Sequence, residues 1–255
     1  MSTALVTGAT AGLGAEFARQ LAAEGNDLVL VARDQSRLES AKVALEDRHH
    51  VHAEVLPADL STVDGCDAVA ERIASADAPI DVLVNNAGMG TYRRFGRAEL
   101  DLEERMLDLN VRAVLRLTHA AVRAMTERGA GQIINVSSVA AFVPRGGNAT
   151  YSASKAWVTM FSEALAVQLT GSGVQVTALC PGFTHTEFHE RANADMSRVP
   201  EWMWLDAEAV VAQGLADARR GKPVSVPSAK YKALIGAARY APRPVLHRIM
   251  RRGGL

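Results

Sequence analysis

Seven short apolar runs recur along this 255-residue chain, most of them followed by a segment long enough for a helix. The runs are TALVT (3–7), DLVLVA (27–32), HAEVLPA (52–58), IDVLVNN (80–86), GQIINVSS (131–138), VQVTALC (174–180) and PVSV (223–226). Most are continuous rather than alternating, which is the pattern of parallel strands buried on both faces. Helix-length segments fill the gaps at 13–24, 35–47, 62–76, 98–127 and 150–170. Gly25, Gly129 and Gly173 stand at the returns to strand, where a helix end needs a residue of positive φ. Strand–helix alternation sustained over a whole chain predicts an α/β fold: a doubly wound parallel sheet of about seven strands with helices on both faces. No linker, repeat or low-complexity stretch divides the chain, so one domain is expected over 1–255. The rhythm is interrupted over 184–222, where Pro200 and the cluster Trp202, Met203, Trp204 predict a helical insertion covering a site. A basic C-terminal segment follows at 228–255.

The first run leads directly into LVTGATAGLGAEFARQLA, with glycines at G-x-x-x-G-x-G spacing. Glycine permits a tight turn and close backbone approach. The helix that follows presents free N–H groups and a positive dipole end, which suit a pyrophosphate. Gly8, Thr10, Ala11, Gly12, Leu13 and Gly14 are therefore the candidate phosphate cradle of a Rossmann-type nucleotide site. In such sites an acid at the end of the second strand holds the ribose hydroxyls of NAD. That position falls on Ala32, and Arg33 follows it. A guanidinium there suits the 2′-phosphate of NADP(H), so NADP(H) is expected over NAD(H). A one-residue shift would present Asp34 instead.

Composition excludes some functions. Lys plus Arg and Asp plus Glu number 28 each, so net charge predicts no nucleic-acid or membrane partner. The distribution is uneven, because residues 218–255 hold 10 of the basic side chains and no acidic one. Cys66 and Cys180 are too far apart in sequence for a disulfide framework or a metal-ligand spacing. His185 and His189 are four apart with no third ligand in view, so no metal is expected. The first strand-like run begins at Thr3, and no apolar run approaches the ~20 residues that span a bilayer. The expectation is a cytoplasmic protein.

In ATYSASKAW (149–157), Tyr151 and Lys155 are four residues apart and share one helix face. Alone, that spacing describes ordinary packing. In order and spacing, however, TGATAGLG, NNAG (85–88), Asn110 in LNV, the serines at 137–138, YSASK (151–155) and PGFTHT (181–186) resemble the short-chain dehydrogenase/reductases. The resemblance runs from Thr3 to about Thr186. It implies that Tyr151 is the general acid/base, Lys155 its partner and a ligand of the nicotinamide ribose, and Ser138 the group that polarises the substrate carbonyl. Ser138 is preferred to Ser137 because it lies 13 residues before Tyr151, the family's usual interval. Asn110 is implied to support a proton-relay water near Lys155. Asp59, with Leu60 beside it, is implied to contact the adenine. Asn86, Ala87 and Gly88 would wall the adenosine ribose, and Pro181, Gly182, Thr184 and Thr186 the nicotinamide. Physical chemistry agrees: an ammonium near a phenol favours the phenolate and brings its pKa down from ~10 toward the working range. The same scaffold can carry a non-catalytic dinucleotide-binding regulator, but such a protein would be expected to lack part of the Asn110, Ser138, Tyr151, Lys155 set. The resemblance also implies a homodimer or homotetramer.

Candidate substrate-facing residues are mostly apolar: Met89, Val139, Ala140, Phe142, Phe183, Phe188, Trp202 and Met203. An apolar wall implies a hydrophobic ketone, aldehyde or secondary alcohol. In the tail, Lys230, Lys232, Arg239, Arg243, Arg248, Arg251 and Arg252 alternate with Leu234, Ile235, Val245, Leu246, Ile249 and Met250. That mixture is compatible with a solvated helix, a subunit contact or peripheral attachment to anionic lipid.

Overall fold

The structure, a computed structural model, describes residues 2–91, 95–143, 147–192, 195–197 and 199–240. Seven strands form one sheet: β1 (Thr3–Thr7), β2 (Asp27–Ala32), β3 (Ala53–Pro57), β4 (Val82–Asn85), β5 (Gly131–Val136), β6 (Val174–Leu179) and β7 (Val224–Ser225). Their order is β3-β2-β1-β4-β5-β6-β7, and every pairing is parallel. This is the doubly wound Rossmann-type sheet that the apolar runs predict. The strand order reverses between β1 and β4, and the carboxyl ends there open the crevice in which such sheets bind ligands.

The helices are α1 (Gly12–Ala23), α2 (Gln35–His49), α3 (Val63–Ala74), α4 (Leu100–Leu107), α5 (Ala113–Arg128), α6 (Ala149–Gln168), α7 (Phe188–Arg191), α8 (Ala207–Arg219) and α9 (Ala229–Tyr240). The continuous apolar strands make sense once both faces are inspected. Ala4 and Val6 of β1 join Phe17 and Leu21 of α1, Leu38 of α2 and Val211 and Leu215 of α8 on one face. Leu5, between them, joins Val69 and Ile73 of α3 and Leu117 and Met125 of α5 on the other. A residue on either side of the pleat is equally buried, so no polar alternation survives.

Two expectations are corrected here. The segment expected at 98–127 is helical over 100–128 but not α-helical throughout. α4 and α5 are joined by a π-helical turn at Asp108–Arg112, whose extra residue per turn shifts the helix face. Nor does the region 184–222 form one insertion over the site. Its second half contains α8, the regular crossover helix between β6 and β7, whose Val210, Val211, Leu215 and Ala218 belong to the core. The part over the crevice ends near Leu205. Pro200 and the tryptophans mask a conventional helix start, where Asp206 caps α8 by accepting from Ala209 N–H at 2.9 Å.

Gly25, Gly129 and Gly173 have φ of 82°, 70° and 80°, as their positions require. At Gly173 an added Cβ would also lie 1.8 Å from the Gly129 carbonyl oxygen. Among the described residues no helix is long and apolar enough to cross a membrane. Of the basic tail, Arg243, Val245, Leu246, Arg248, Ile249, Met250, Arg251 and Arg252 lie outside the described residues.

Candidate active site

One cleft of about 1000 Å³ runs along the carboxyl ends of the strands. Where β1 turns into α1, Gly8, Thr10, Ala11, Gly12 and Leu13 line it. Ala11 is extended and its side chain caps nothing, so the first N–H groups of α1 face the cleft without a side-chain partner. That is the arrangement an anion requires. The turn leaves no room for other residue types. Gly12 has φ 53°, and a Cβ there would meet Thr186 Cβ at 3.1 Å. Gly14 does not line the cleft. A Cβ on it would lie 2.1 Å from Gly8 O, so this glycine lets α1 pack against the turn. Its expected place in the cradle is therefore corrected to one behind it.

Thr7, the last residue of β1, ties the turn to the NNAG segment. Its hydroxyl accepts from the N–H groups of Asn86 and Ala87, both at 2.9 Å. The Asn86 side chain donates back to Thr7 O at 2.9 Å. With Gly88, these residues form the adjacent wall.

At one end, beyond β2 and β3, Ala32, Arg33, Asp34, Arg37, Asp59, Leu60, Ser61 and Arg105 line the cleft. Asp34, the acid that a one-residue shift would offer, caps α2: its carboxylate accepts from Arg37 N–H at 3.0 Å. Arg33 is exposed and makes no ion pair among the described residues. Arg37 and Arg105 were not foreseen. Arg37 donates to Thr10 O at 2.9 Å and pairs with Glu187 at 3.3 Å. Arg105 pairs with Asp59 at 3.0 Å and donates to Ser61 Oγ at 3.2 Å. Burial pushes the Asp59 carboxyl up, but hydrogen bonds from Ser61 and the Arg105 and Arg33 charges outweigh it, so its pKa falls below the usual value.

At the other end, α6 carries Tyr151 and Lys155 on one face, both buried and both lining the cleft. Lys155 Nζ donates to Val136 O at 2.8 Å and stands 5.8 Å from the Tyr151 ring centroid. Burial pushes its pKa down from 10.5 to about 8, opposed only by Cys180. The two serines separate cleanly. Ser137 Oγ donates to Lys155 O at 2.8 Å and lies 2.7 Å from Thr159 Oγ1. Ser138 Oγ accepts from Ala140 N–H at 3.1 Å, which leaves its proton uncommitted among the described residues.

Asn110 lies on the π-helical turn, is fully buried and does not line the cleft. Its side chain accepts from Met89 N–H at 2.9 Å and donates to Met89 O at 2.8 Å and Ser154 Oγ at 3.2 Å. It thus staples the 86–89 segment to α6 from behind the wall. Gly88 lies close to both groups: a Cβ there would be 3.1 Å from Asn110 Oδ1 and 3.5 Å from Lys155 Nζ.

Pro181, Gly182, Thr184 and Thr186 line the cleft opposite α6. Met89, Val139, Ala140, Phe183 and Phe188 supply the apolar wall. Phe142, Trp202 and Met203 do not reach it. Phe142 and Met203 pack into the cluster around Cys180 and Tyr231, and Trp202 is 62% exposed. The tryptophan that matters locally is Trp204, stacked on His185 at 4.6 Å and met edge-on by His189 at 5.3 Å. Each histidine four apart thus holds an indole. Among the described residues no three His, Cys, Asp or Glu side chains gather as metal ligands.

A Rossmann-type sheet with a glycine cradle, a buried lysine and a tyrosine on one cleft defines an oxidoreductase scaffold. The chain belongs to the short chain dehydrogenase family, whose model matches residues 2–197. A ketoacyl reductase, HetN, of Nostoc sp. is 36% identical over 71% of this chain, and the match spans 63% of that protein's length. A short-chain dehydrogenase from Sphingobium yanoikuyae, solved in complex with NADPH, is 36% identical and superposes over 94% of each chain with a TM-score of 0.85. An alcohol dehydrogenase from Comamonas testosteroni described as specific for bulky-bulky ketones is 32% identical, covering 94% of this chain and 92% of its own, with a TM-score of 0.81.

Proposed function

We propose that this chain is an NADP(H)-dependent carbonyl reductase, working in reverse as an alcohol dehydrogenase, on hydrophobic ketones, aldehydes or secondary alcohols. The observation that carries the reading is the pairing of Tyr151 with a buried Lys155 on the wall of the same cleft that holds the glycine cradle. The cradle fits a dinucleotide: its first N–H groups face the cleft uncapped, and a Cβ at Gly8 would lie 2.8 Å from Asn86 Nδ2. Gly8, Thr10, Ala11, Gly12 and Leu13 would hold the pyrophosphate. Asp59 and Leu60 would hold the adenine, Asn86, Ala87 and Gly88 the adenosine ribose, Lys155 the nicotinamide ribose, and Pro181, Gly182, Thr184 and Thr186 the nicotinamide. When bound, the cofactor supplies or accepts a hydride at the substrate's carbonyl carbon.

The chain's own residues manage the proton. The Ser138 hydroxyl donates to the carbonyl oxygen and orients it. Tyr151 gives its phenolic proton to that oxygen as negative charge builds there. The Lys155 ammonium favours the phenolate left behind. In oxidation the phenolate takes the proton back. Asn110 acts as a positioning residue, fixing the wall against α6.

Arg33 supports NADP(H) as an exposed guanidinium with no ion pair among the described residues, while the Asp34 carboxylate caps α2. The similar Sphingobium protein holds NADPH. Met89, Val139, Ala140, Phe183 and Phe188 support a hydrophobic substrate, and the similar Comamonas protein is described as acting on bulky ketones. Leu115 on α5 and Met160 and Val167 on α6 are exposed at 44%, 67% and 75%, which supports a homodimer or homotetramer.

Tyr151→Phe tests the core of the proposal. Turnover of every ketone should fall by ~10³-fold or more, while the Kd for NADPH stays within about twofold. Turnover at the wild-type rate would refute the assignment.

A further inference from the structure

The segment over the substrate end of the cleft stands on two feet. One is the stretch after β6, Phe183–His185. The other is Met203–Leu205. Backbone bonds hold the feet together: Leu205 N–H donates to Phe183 O at 2.8 Å, and His185 N–H donates to Leu205 O at 3.1 Å. Between them lies the covering segment, whose Thr186, Glu187, Phe188, His189, Arg191 and Ala192 line the cleft.

Helix α9 reaches both feet through one side chain. The Tyr231 hydroxyl accepts from Phe183 N–H at 3.1 Å and donates to Met203 O at 2.8 Å. The ring is 3% exposed and lies against Gly182, where a Cβ would sit 2.1 Å from it. No larger residue fits at Gly182 while the ring is in place. Beside it, Lys230 Nζ donates to the carbonyls of Trp202 and Trp204. Ile235, one turn further along α9, packs into the same cluster as Phe183, Met203 and Trp204. None of these α9 residues lines the cleft.

We propose that Tyr231 is a positioning residue for substrate selection: its hydroxyl sets the spacing of the two feet, and so the place of Phe183 and of the apolar cover above Tyr151. The inference rests on the reading of this cleft as the carbonyl site. A large hydrophobic ketone must use the wall made by Phe183 and Phe188. A small one occupies only the space beside Tyr151 and Ser138. Loss of the pin removes the Tyr231 bond from a buried N–H and a part-buried C=O, which the feet relieve by moving apart. The apolar wall then loses register, while the Gly8–Leu13 turn, tied to the 86–87 segment through Thr7 and Asn86, keeps its own backbone geometry.

The test uses the full-length protein and Y231F, which keeps the ring and removes only the hydroxyl. Kinetics with NADPH are measured on a small aliphatic ketone and on a bulky aryl ketone. The expected result is a kcat/KM for the bulky ketone lower by ~10-fold, carried mostly by KM, against a change within about twofold for the small one. Tryptic cleavage after the exposed Arg191 should accelerate by ~10-fold, and the Kd for NADPH should hold within about twofold. K230M, which frees only the second foot, should move both readouts in the same direction by a smaller factor, and it serves if Y231F folds poorly. An unchanged size ratio with unchanged proteolysis overturns the proposal, as does an equal loss on both ketones with normal proteolysis. If the wild type reduces no carbonyl with either cofactor, the reading of the site fails, and the proteolysis still decides whether Tyr231 pins the cover.

Discussion

Replacing Lys155 by methionine should separate stability from function. The wild-type ammonium is buried, and burial holds its pKa at about 8 instead of 10.5. The Cys180 thiol opposes this only when ionised, and its own pKa is pushed up to about 11 by burial, so it is neutral across the useful range. At about 1.4 kcal/mol per pKa unit, keeping the charge inside costs the fold about 3 kcal/mol at pH 7. Methionine fills a similar volume and removes that cost. It also leaves Val136 O without the donor now at 2.8 Å, a loss of about 1–3 kcal/mol. The net expectation at pH 7 is a variant between equally stable and about 2 kcal/mol more stable than the wild type.

The pH dependence follows from which state keeps the proton. Between about pH 8 and pH 10.5 the unfolded chain still holds the Lys155 proton and the cofactor-free fold has released it. Wild-type stability therefore gains with pH in that window relative to Lys155→Met, by up to about 3 kcal/mol. Urea unfolding of both proteins without cofactor, at pH 7 and at pH 9.5, measures the gap, and other titrating groups cancel in the difference. Ketone reduction by the variant should fall by ~10²–10⁴-fold at either pH, and NADPH should bind more weakly. A variant less stable than the wild type by more than about 2 kcal/mol at pH 7, or a gap that does not move with pH, would refute the account of a strained, buried charge.

Two other perturbations probe the nucleotide end. Arg33→Ala should raise the KM for NADPH by ~10-fold or more and leave that for NADH nearly unchanged, because only the first presents a 2′-phosphate; equal effects on both would remove the cofactor assignment. Gly14→Ala places a methyl 2.1 Å from a backbone oxygen that cannot step aside, so thermal unfolding should shift down by ~4–10 °C, a loss of about 2–3 kcal/mol. An unshifted transition would mean that α1 does not pack on the turn as described.

What the sequence disclosed and what it hid divide along a physical line. Strand positions were legible because burial on both faces imposes unbroken apolar runs, and the glycine turn because φ of 68° at Gly8 and 53° at Gly12 demands that residue. Groups that act through tertiary meeting left no local trace. Nothing around Thr7 indicates that its hydroxyl will meet two N–H groups 79 and 80 residues away. Arg105 gives no sign of Asp59, nor Tyr231 of Phe183. Trp202 misled for a related reason. A cluster of large apolar residues marks burial, yet which member turns inward depends on the local turn, and here it is Trp204.

Lys155 is held by more than its own hydrogen bond, and that explains why the site tolerates so unfavourable a charge. Behind it runs a column of buried polar side chains. Asn85 donates to Thr118 and to Asn135, and Asn135 donates to Ser162. The bonds join β4 and β5 to α5 and α6 through the middle of the core. One turn nearer the cleft, Ser137 and Thr159 both donate to the Lys155 carbonyl. Apolar contacts alone would let α6 slide along the sheet at little cost, since they are non-directional. A fully paired polar column does not, because any slip orphans several buried groups at once. The register of α6 is what places Tyr151 and Lys155 in the same cleft as the cradle between β1 and α1. Polar residues that never touch the cleft therefore fix its geometry, and the strain of the buried ammonium is borne by the core rather than by the loops around the site.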